Sequence, residues 1–287
     1  MRKIFINKLV KEASKNKKII LIVGDLGFGV VESFKNKFPD RFFNAGVAEQ
    51  NMAGLASGLA LKGFHVFIYS IANFSTFRCA EQIRNDVDYH NLPVTIVSVG
   101  SGLGYGNLGY SHFALQDYAL MRLFPNMLIL SPGNLDELNK IIRFITNKPS
   151  PSYLRLDKDE PSSSYKIKDK KIEPGKIYKL KNGIKEKVIL TTGNVQNIAE
   201  KINKKNFSIY SLPIWGMKTK KITFNYLKKF EEVLIIEDHF EDGGFGSWIR
   251  ECLKNTKINI TTKSINNNVL KTVGSKSYLL KKFGPKI

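Results

Sequence analysis

The stretch GVAEQNMAGLASGLALKGFHVFIYS, Gly46 to Ser70, decides how this chain is read. Over 46–62 it places apolar residues such as Leu55 and Leu59 at helical spacing, and FHVFIYS (64–70) is a short apolar run with β-branched and aromatic residues. A helix feeding a strand that is apolar on both faces is the unit of a parallel sheet covered by helices. The helix carries an oddity. A single acid, Glu49, stands among Gly46, Ala48, Ala53 and Gly54. Small neighbours let a ligand or another chain come close, and a carboxylate that loses its water there is costly without a partner or a task. The plainer reading is an acid at a helix start, favoured by the positive end of the dipole.

The same alternation extends to both sides. KIILIVG (18–24), LPVTIVSVG (92–100), NMLILSPG (126–133) and PSYLRLD (151–157) are expected as buried strands, with helices over 74–90, 115–123 and 134–147. The N-terminal MRKIFINKLVKEASKNKK reads as an amphipathic helix with Ile4, Leu9 and Ala13 near helical spacing. A polar stretch with Pro161, Pro174 and a serine triplet then marks a linker. A second α/β unit follows, with strands KVILTTG (187–193), FSIYSLP (207–213), EVLIIED (232–238) and INITTKS (258–264). The expectation is an α/β protein of two domains, residues 1–160 and 184–287, joined by a linker over 161–183. Each domain is a mostly parallel sheet covered by helices, and both sizes suit a folded domain.

With 287 residues, 43% hydrophobic and 24% charged, the composition is that of an ordinary globular protein. No apolar run approaches the roughly 20 residues that span a bilayer, so no membrane association is expected. The N-terminus lacks the continuous apolar core of a secretory signal. Cys79 and Cys252 have no ligand-like spacing, which points to reduced thiols and a cytoplasmic location. The net charge of +20 invites a nucleic-acid reading. The excess is spread as pairs such as Lys204-Lys205, Lys220-Lys221 and Lys281-Lys282, without a basic stripe interleaved with aromatics. No nucleic-acid binding is expected; an anionic substrate or an acidic partner chain would benefit from this field.

Further segments are candidates for chemistry. VGDLGFG (23–29) has the order G-x-x-G-x-G, which is either a nucleotide cradle or a tight glycine turn. The chain otherwise lacks an obvious place for a diphosphate. IANFSTFRCAEQIRNDVDYH (71–90) sets Phe74 and Phe77 before a helix bearing Arg78, Glu81, Gln82 and Arg84. The two aromatics are core residues or a flat wall for a planar heterocycle. GSGLGYGNLGYSHFALQD (100–117) has five glycines between a strand and a helix and presents Ser111 and His112. Loops this long are usually functional, and the carboxyl end of a strand makes His112 a candidate catalytic group. IIEDHFEDGGFGSWIRE (235–251) offers His239, as a second base or as part of a turn closing one domain on the other.

Taken together, in this order, the segments resemble the transketolase family of thiamine-diphosphate enzymes. The likeness covers nearly the whole chain, but only the family's pyrimidine-binding and C-terminal domains. GVAEQNMAGLASGLA is similar to the family's G-[IV]-x-E-[QH]-x-M segment, which implies that Glu49 activates the cofactor through its aminopyrimidine. IANFSTFRCAEQIR is similar to the segment whose aromatic, here Phe74, stacks on that ring. GNLGYSHFALQDYALMR resembles the D-G-x-[ST]-H-Q loop and puts His112 towards substrate, and SYLRLD implies that Arg155 holds an anionic substrate group. VLIIEDHFEDGGFGS and VGSKSYLLKKFG are like the C-terminal domain of transketolases and deoxyxylulose-phosphate synthases. The family's G-D-G…N motif for diphosphate and metal is missing from this sequence. The resemblance therefore implies a split enzyme, active with a second polypeptide that holds the diphosphate and Mg2+ or Ca2+, in a heterotetramer that transfers a two-carbon ketol unit between sugar-type substrates.

The sequence departs from the family pattern at three places. Leu108 replaces the loop acid, Phe113 replaces the glutamine after the histidine, and Gly100 stands where transketolases carry another histidine. These changes put standard pentose-phosphate substrates in doubt. Two alternatives follow: decarboxylative acyl transfer from a 2-oxoacid such as pyruvate, or a non-catalytic subunit that binds a partner.

Overall fold

The structure is a computed structural model that describes every residue except 162, 204 and 287. Ser162 of the serine triplet and Lys204 of the Lys204-Lys205 pair lie outside the described residues. Helix α1 (Arg2–Lys15) buries Phe5, Ile6, Leu9 and Ala13 against the first sheet. It leads into β1 (Ile19–Val23), whose five apolar residues are all buried. Helix α2 (Glu32–Lys37), β2 (Phe42–Asn44), α3 (Glu49–Leu61) and β3 (His65–Ile71) follow. Helix α4 (Ala72–Thr76) and the short α5 (Ala80–Gln82) precede β4 (Val94–Val99). The unit continues with α6 (Asp117–Met121), β5 (Leu128–Leu130), α7 (Leu135–Asn147) and β6 (Ser152–Leu156). Asn134 caps α7 by accepting from the Glu137 amide at 2.9 Å, satisfying a donor that the first turn leaves free.

The second unit comprises β7 (Tyr178–Lys181), β8 (Ile184–Thr191), α8 (Gln196–Ile202), β9 (Phe207–Ser211) and β10 (Ile214–Trp215). Helix α9 (Lys220–Leu227), β11 (Glu232–Ile236), α10 (Phe245–Cys252), β12 (Asn259–Lys263) and α11 (Lys276–Phe283) complete it. Among the described residues no helix is long and apolar enough to cross a membrane.

The first sheet has the order β10-β5-β6-β4-β3-β1-β2, parallel throughout except that β10 runs antiparallel to β5. The second has the order β12-β11-β8-β9-β7, with only β7 antiparallel. The α/β architecture expected from the alternating runs is thus present in both units. Two details differ from the sequence reading. Tyr178–Lys181, within the stretch expected as linker, is a strand of the second sheet, and Ile214–Trp215 crosses over to extend the first. Long-range pairing partners decide both, and local polarity does not report them.

The helix expected over 74–90 is broken into α4, a 3₁₀ turn (Phe77–Cys79), α5 and a π-helical turn (Ile83–Asp88). The cause is local. Ser75 and Thr76 hydroxyls donate to the carbonyls of Ile71 (3.1 Å) and Ala72 (2.7 Å), and the Cys79 thiol donates to Ser75 O (3.3 Å). Such side-chain bonds compete with the helical ladder. π turns recur at functional sites.

The topology fixes where a site can form. From β1 the chain moves outward to β2, then crosses back to β3 on the other side. That reversal opens a crevice at the carboxyl ends of β1 and β3, the place where open α/β sheets hold ligands. Helix α3 enters there, with Glu49 as its first residue. On the opposite flank, Tyr118, Trp215, Phe245 and Trp248 form a continuous aromatic core between the two units.

Candidate active site

Glu49 lies at the crevice and is 3% exposed. Ser70 Oγ, near the end of β3, donates to its Oε1 at 3.4 Å. Arg78 Nη1 donates to its Oε2 at 3.1 Å. Gly24, just past β1, completes the wall: a Cβ there would lie 3.6 Å from both Glu49 Oε1 and Ser70 Oγ. The small residues noticed in the sequence divide by face. Ala53 and Ala56 are buried beneath α3, whereas Gly54 and Gly58 line its outer side. The acid is therefore dry and has a cationic partner, the condition that makes burial of a carboxylate tolerable.

Phe74 is half-buried on α4, four residues before Arg78. The Arg78 guanidinium lies over its ring, 3.8 Å from the centroid. The ring also meets His112 edge-on at 5.1 Å, and Tyr105 approaches the same histidine at 6.2 Å. Asn73 Nδ2 donates to Ser111 O at 3.0 Å and ties the histidine loop to α4. Burial, and then the charge of Arg78, lower the proton affinity of His112 below the usual imidazole range. Its Nδ1 bonds Ser111 Oγ at 2.9 Å. Phe77 is 49% exposed.

The histidine loop is held by glycines and by the second unit. Gly100 has φ +91°, and a Cβ there would meet the Tyr105 ring at 2.2 Å, so this loop has no room for a histidine at that position. A Cβ on Gly106 would meet Gly274 O at 2.5 Å, where the C-terminal segment packs against the loop. Phe113 is buried in a core with Leu103, Leu115, Ile265, Leu279 and Phe283. That position fastens the loop to the second unit rather than facing a substrate. Leu108 is exposed.

Arg155 is elsewhere. Its side chain is fully buried and donates to Asp117 Oδ2 (2.6 Å), Asp238 Oδ1 (2.6 Å) and Ala114 O (2.7 Å), with Tyr118 4.3 Å beneath it. The two carboxylates hold its proton more tightly than usual against the opposing effect of burial. With its donors engaged inside the protein, Arg155 has none to offer a substrate anion, and the role expected from SYLRLD is corrected. His239 belongs to the same hub, stacked on Tyr118 at 5.3 Å, and burial pushes its pKa down to about 4. It is neutral near pH 7 and lies in the seam between the units. Thus the structure gathers Glu49, Phe74 and His112, leaves Phe77 at the rim and removes Arg155. Arg78 was legible only as a charge on the segment after Phe74; its i, i+4 spacing from Phe74 was the available signal.

Comparison with known proteins gives the family of the chain. Residues 1–162 match the family described as transketolase, pyrimidine binding domain. The chain is 35% identical to a protein of Methanocaldococcus jannaschii described as a transketolase C-terminal section, covering 99% of this chain and 92% of that one. The chain belongs to the transketolase family. It is 29% identical to an apulose-4-phosphate transketolase subunit of Actinobacillus succinogenes, over 91% of this chain and 85% of that protein. It is 32% identical to 1-deoxy-D-xylulose-5-phosphate synthase of Clostridium perfringens, over 87% of this chain but only 41% of the longer enzyme. Among solved structures, a split gene transketolase described as an inactive beta4 tetramer superposes with a TM-score of 0.83 at 27% identity, covering 99% of this chain and 93% of that one.

Proposed function

We propose that this transketolase-family chain is the pyrimidine-binding subunit of a split thiamine-diphosphate enzyme. In this reading it works with a second polypeptide that holds the diphosphate and its divalent metal. The observation that carries it is the seat between Glu49 and Phe74. A flat N–H donor, the Arg78 guanidinium, already rests there, bonded to the acid and stacked on the ring. A seat of that shape suits an aminopyrimidine. The partner is supported by relatives described as a C-terminal section and as one subunit of a transketolase. It is supported further by exposed apolar side chains around α3, namely Val47, Leu55, Leu61 and Phe77, since bare apolar patches mark contact surfaces. A heterotetramer is the proposed assembly.

Bound thiamine diphosphate supplies a carbon nucleophile that breaks and forms bonds beside a carbonyl. Glu49, held in a dry crevice, would share a proton with a ring nitrogen of the cofactor. Phe74 sets the plane of the ring. His112, neutral near pH 7, accepts and returns a proton at a substrate oxygen, and its bond to Ser111 orients the imidazole. The proposed reaction is two-carbon ketol transfer between sugar-type substrates. A second reading, decarboxylative acyl transfer from pyruvate, is favoured by the likeness to the deoxyxylulose-phosphate synthase and by exposed Leu108 in place of a sugar-reading acid.

Turnover of the chain assembled with its partner tests the assignment. Glu49→Gln, which cannot share a proton in this way, is expected to lose about 10²–10⁴-fold in cofactor-dependent rate while remaining folded. Near-normal turnover would sink it. Product analysis with a ketose donor against pyruvate separates the two reactions.

A further inference from the structure

The seat between Glu49 and Phe74 is filled by the chain itself. The Arg78 side chain is 46% exposed while that of Glu49 is 2% exposed, so a fixed acid is joined to an arm with open water behind it. The guanidinium and an aminopyrimidine are both flat, both present N–H donors along one edge, and both stack on aromatic faces. They therefore compete for one carboxylate edge and one ring face. They differ in charge. The guanidinium is always protonated and pairs with an ionised carboxylate, whereas a ring nitrogen needs a proton held between itself and the acid.

We propose that Arg78 is a built-in occupant of the pyrimidine seat, displaced from the Glu49 carboxylate and the Phe74 face when the cofactor enters. Arg78 is thus a positioning residue that holds the seat through Glu49 and Phe74. This inference rests on the reading of the site given above.

Arg78 is the charged neighbour that meets the Glu49 carboxylate, and the other groups around it are uncharged. From β3, Ser70 offers a neutral hydroxyl to the other carboxylate oxygen. Cys79, from the same turn as Arg78, is pushed up to about 12 by burial and then by the charge of Glu49, so its thiol stays protonated. His112, across Phe74, is held neutral near pH 7 by burial and then by Arg78. From the end of β1 the uncharged Gly24 approaches the acid.

Isothermal titration of thiamine diphosphate with Mg2+ into the assembled complex reads this competition as an affinity. Arg78→Met is expected to bind about tenfold tighter, because one charge-assisted hydrogen bond no longer competes. Arg78→Lys keeps the charge but loses the flat fork that stacks on Phe74, and should bind between wild type and Arg78→Met. Equal or weaker binding by Arg78→Met overturns the proposal. If Arg78→Met does not fold, Arg78→Gln is read by the same criteria. A wild-type complex that binds no thiamine diphosphate overturns the reading of the site as well.

Discussion

Two arginines in this molecule make the same kinds of contact to opposite ends. Arg78 bonds a carboxylate and lies 3.8 Å over Phe74; Arg155 bonds two carboxylates and lies 4.3 Å over Tyr118. What separates them is water. Arg155 is enclosed, its partners come from both units, and moving it would strand Asp117 and Asp238 in the interior. Arg78 has solvent behind it and one buried partner, so it can leave at modest cost. An arginine, a carboxylate and an aromatic ring do not by themselves make a site. Access to solvent, and the number of partners left behind, decide whether the cluster locks or opens.

Arg155→Met should produce the largest effect. With two buried carboxylates left unpaired, the chain is expected to lose about 3–5 kcal/mol in urea unfolding. A loss below about 1 kcal/mol would break the contrast between a locked seam and an open site. The seam also predicts a pH dependence. Glu137 is fully buried on α7, accepts from Gln196 Nε2 on α8 at 2.8 Å, and burial pushes its pKa up to about 7. A carboxyl raised in the folded state stabilises fully below its unfolded value near 4.5, and that contribution disappears as pH rises through about 7. The corresponding loss is at most about 3 kcal/mol. Melting temperature should therefore fall from pH 5 to pH 8, and Glu137→Gln should flatten that slope. The open site predicts a smaller change of another kind. Phe74→Leu is expected to weaken thiamine diphosphate binding to the assembled complex by about three- to tenfold, the worth of one aromatic stacking contact, with unfolding nearly unchanged. If unfolding shifts as much as for Arg155→Met, Phe74 belongs to the core and not to the seat.

Much of this was legible from spacing. Apolar runs interrupted by helical patterns announced parallel sheets, because a strand buried on both faces cannot alternate polar residues. Glu49 among small residues, Phe74 further along and the histidine loop were legible as separate oddities. The errors share one cause. SYLRLD looks the same whether its arginine meets a substrate or meets Asp117 and Asp238, which lie 38 and 83 residues away. Phe113 looked like a substrate-facing change until the C-terminal helix closed a core over it. The expected helix over 74–90 overlooked that Ser75 and Thr76 would bond back to the backbone and turn the chain so that Arg78 faces Glu49.

By itself the sequence determined the class of fold and the residues available for chemistry, since periodicity and residue type act over a few neighbours. The tertiary structure decided which of those residues share a site. Burial, donor counts and stacking depend on chains brought together from distant positions. That is why one arginine of this protein is sealed into its seam and another rests, displaceable, on its candidate cofactor seat.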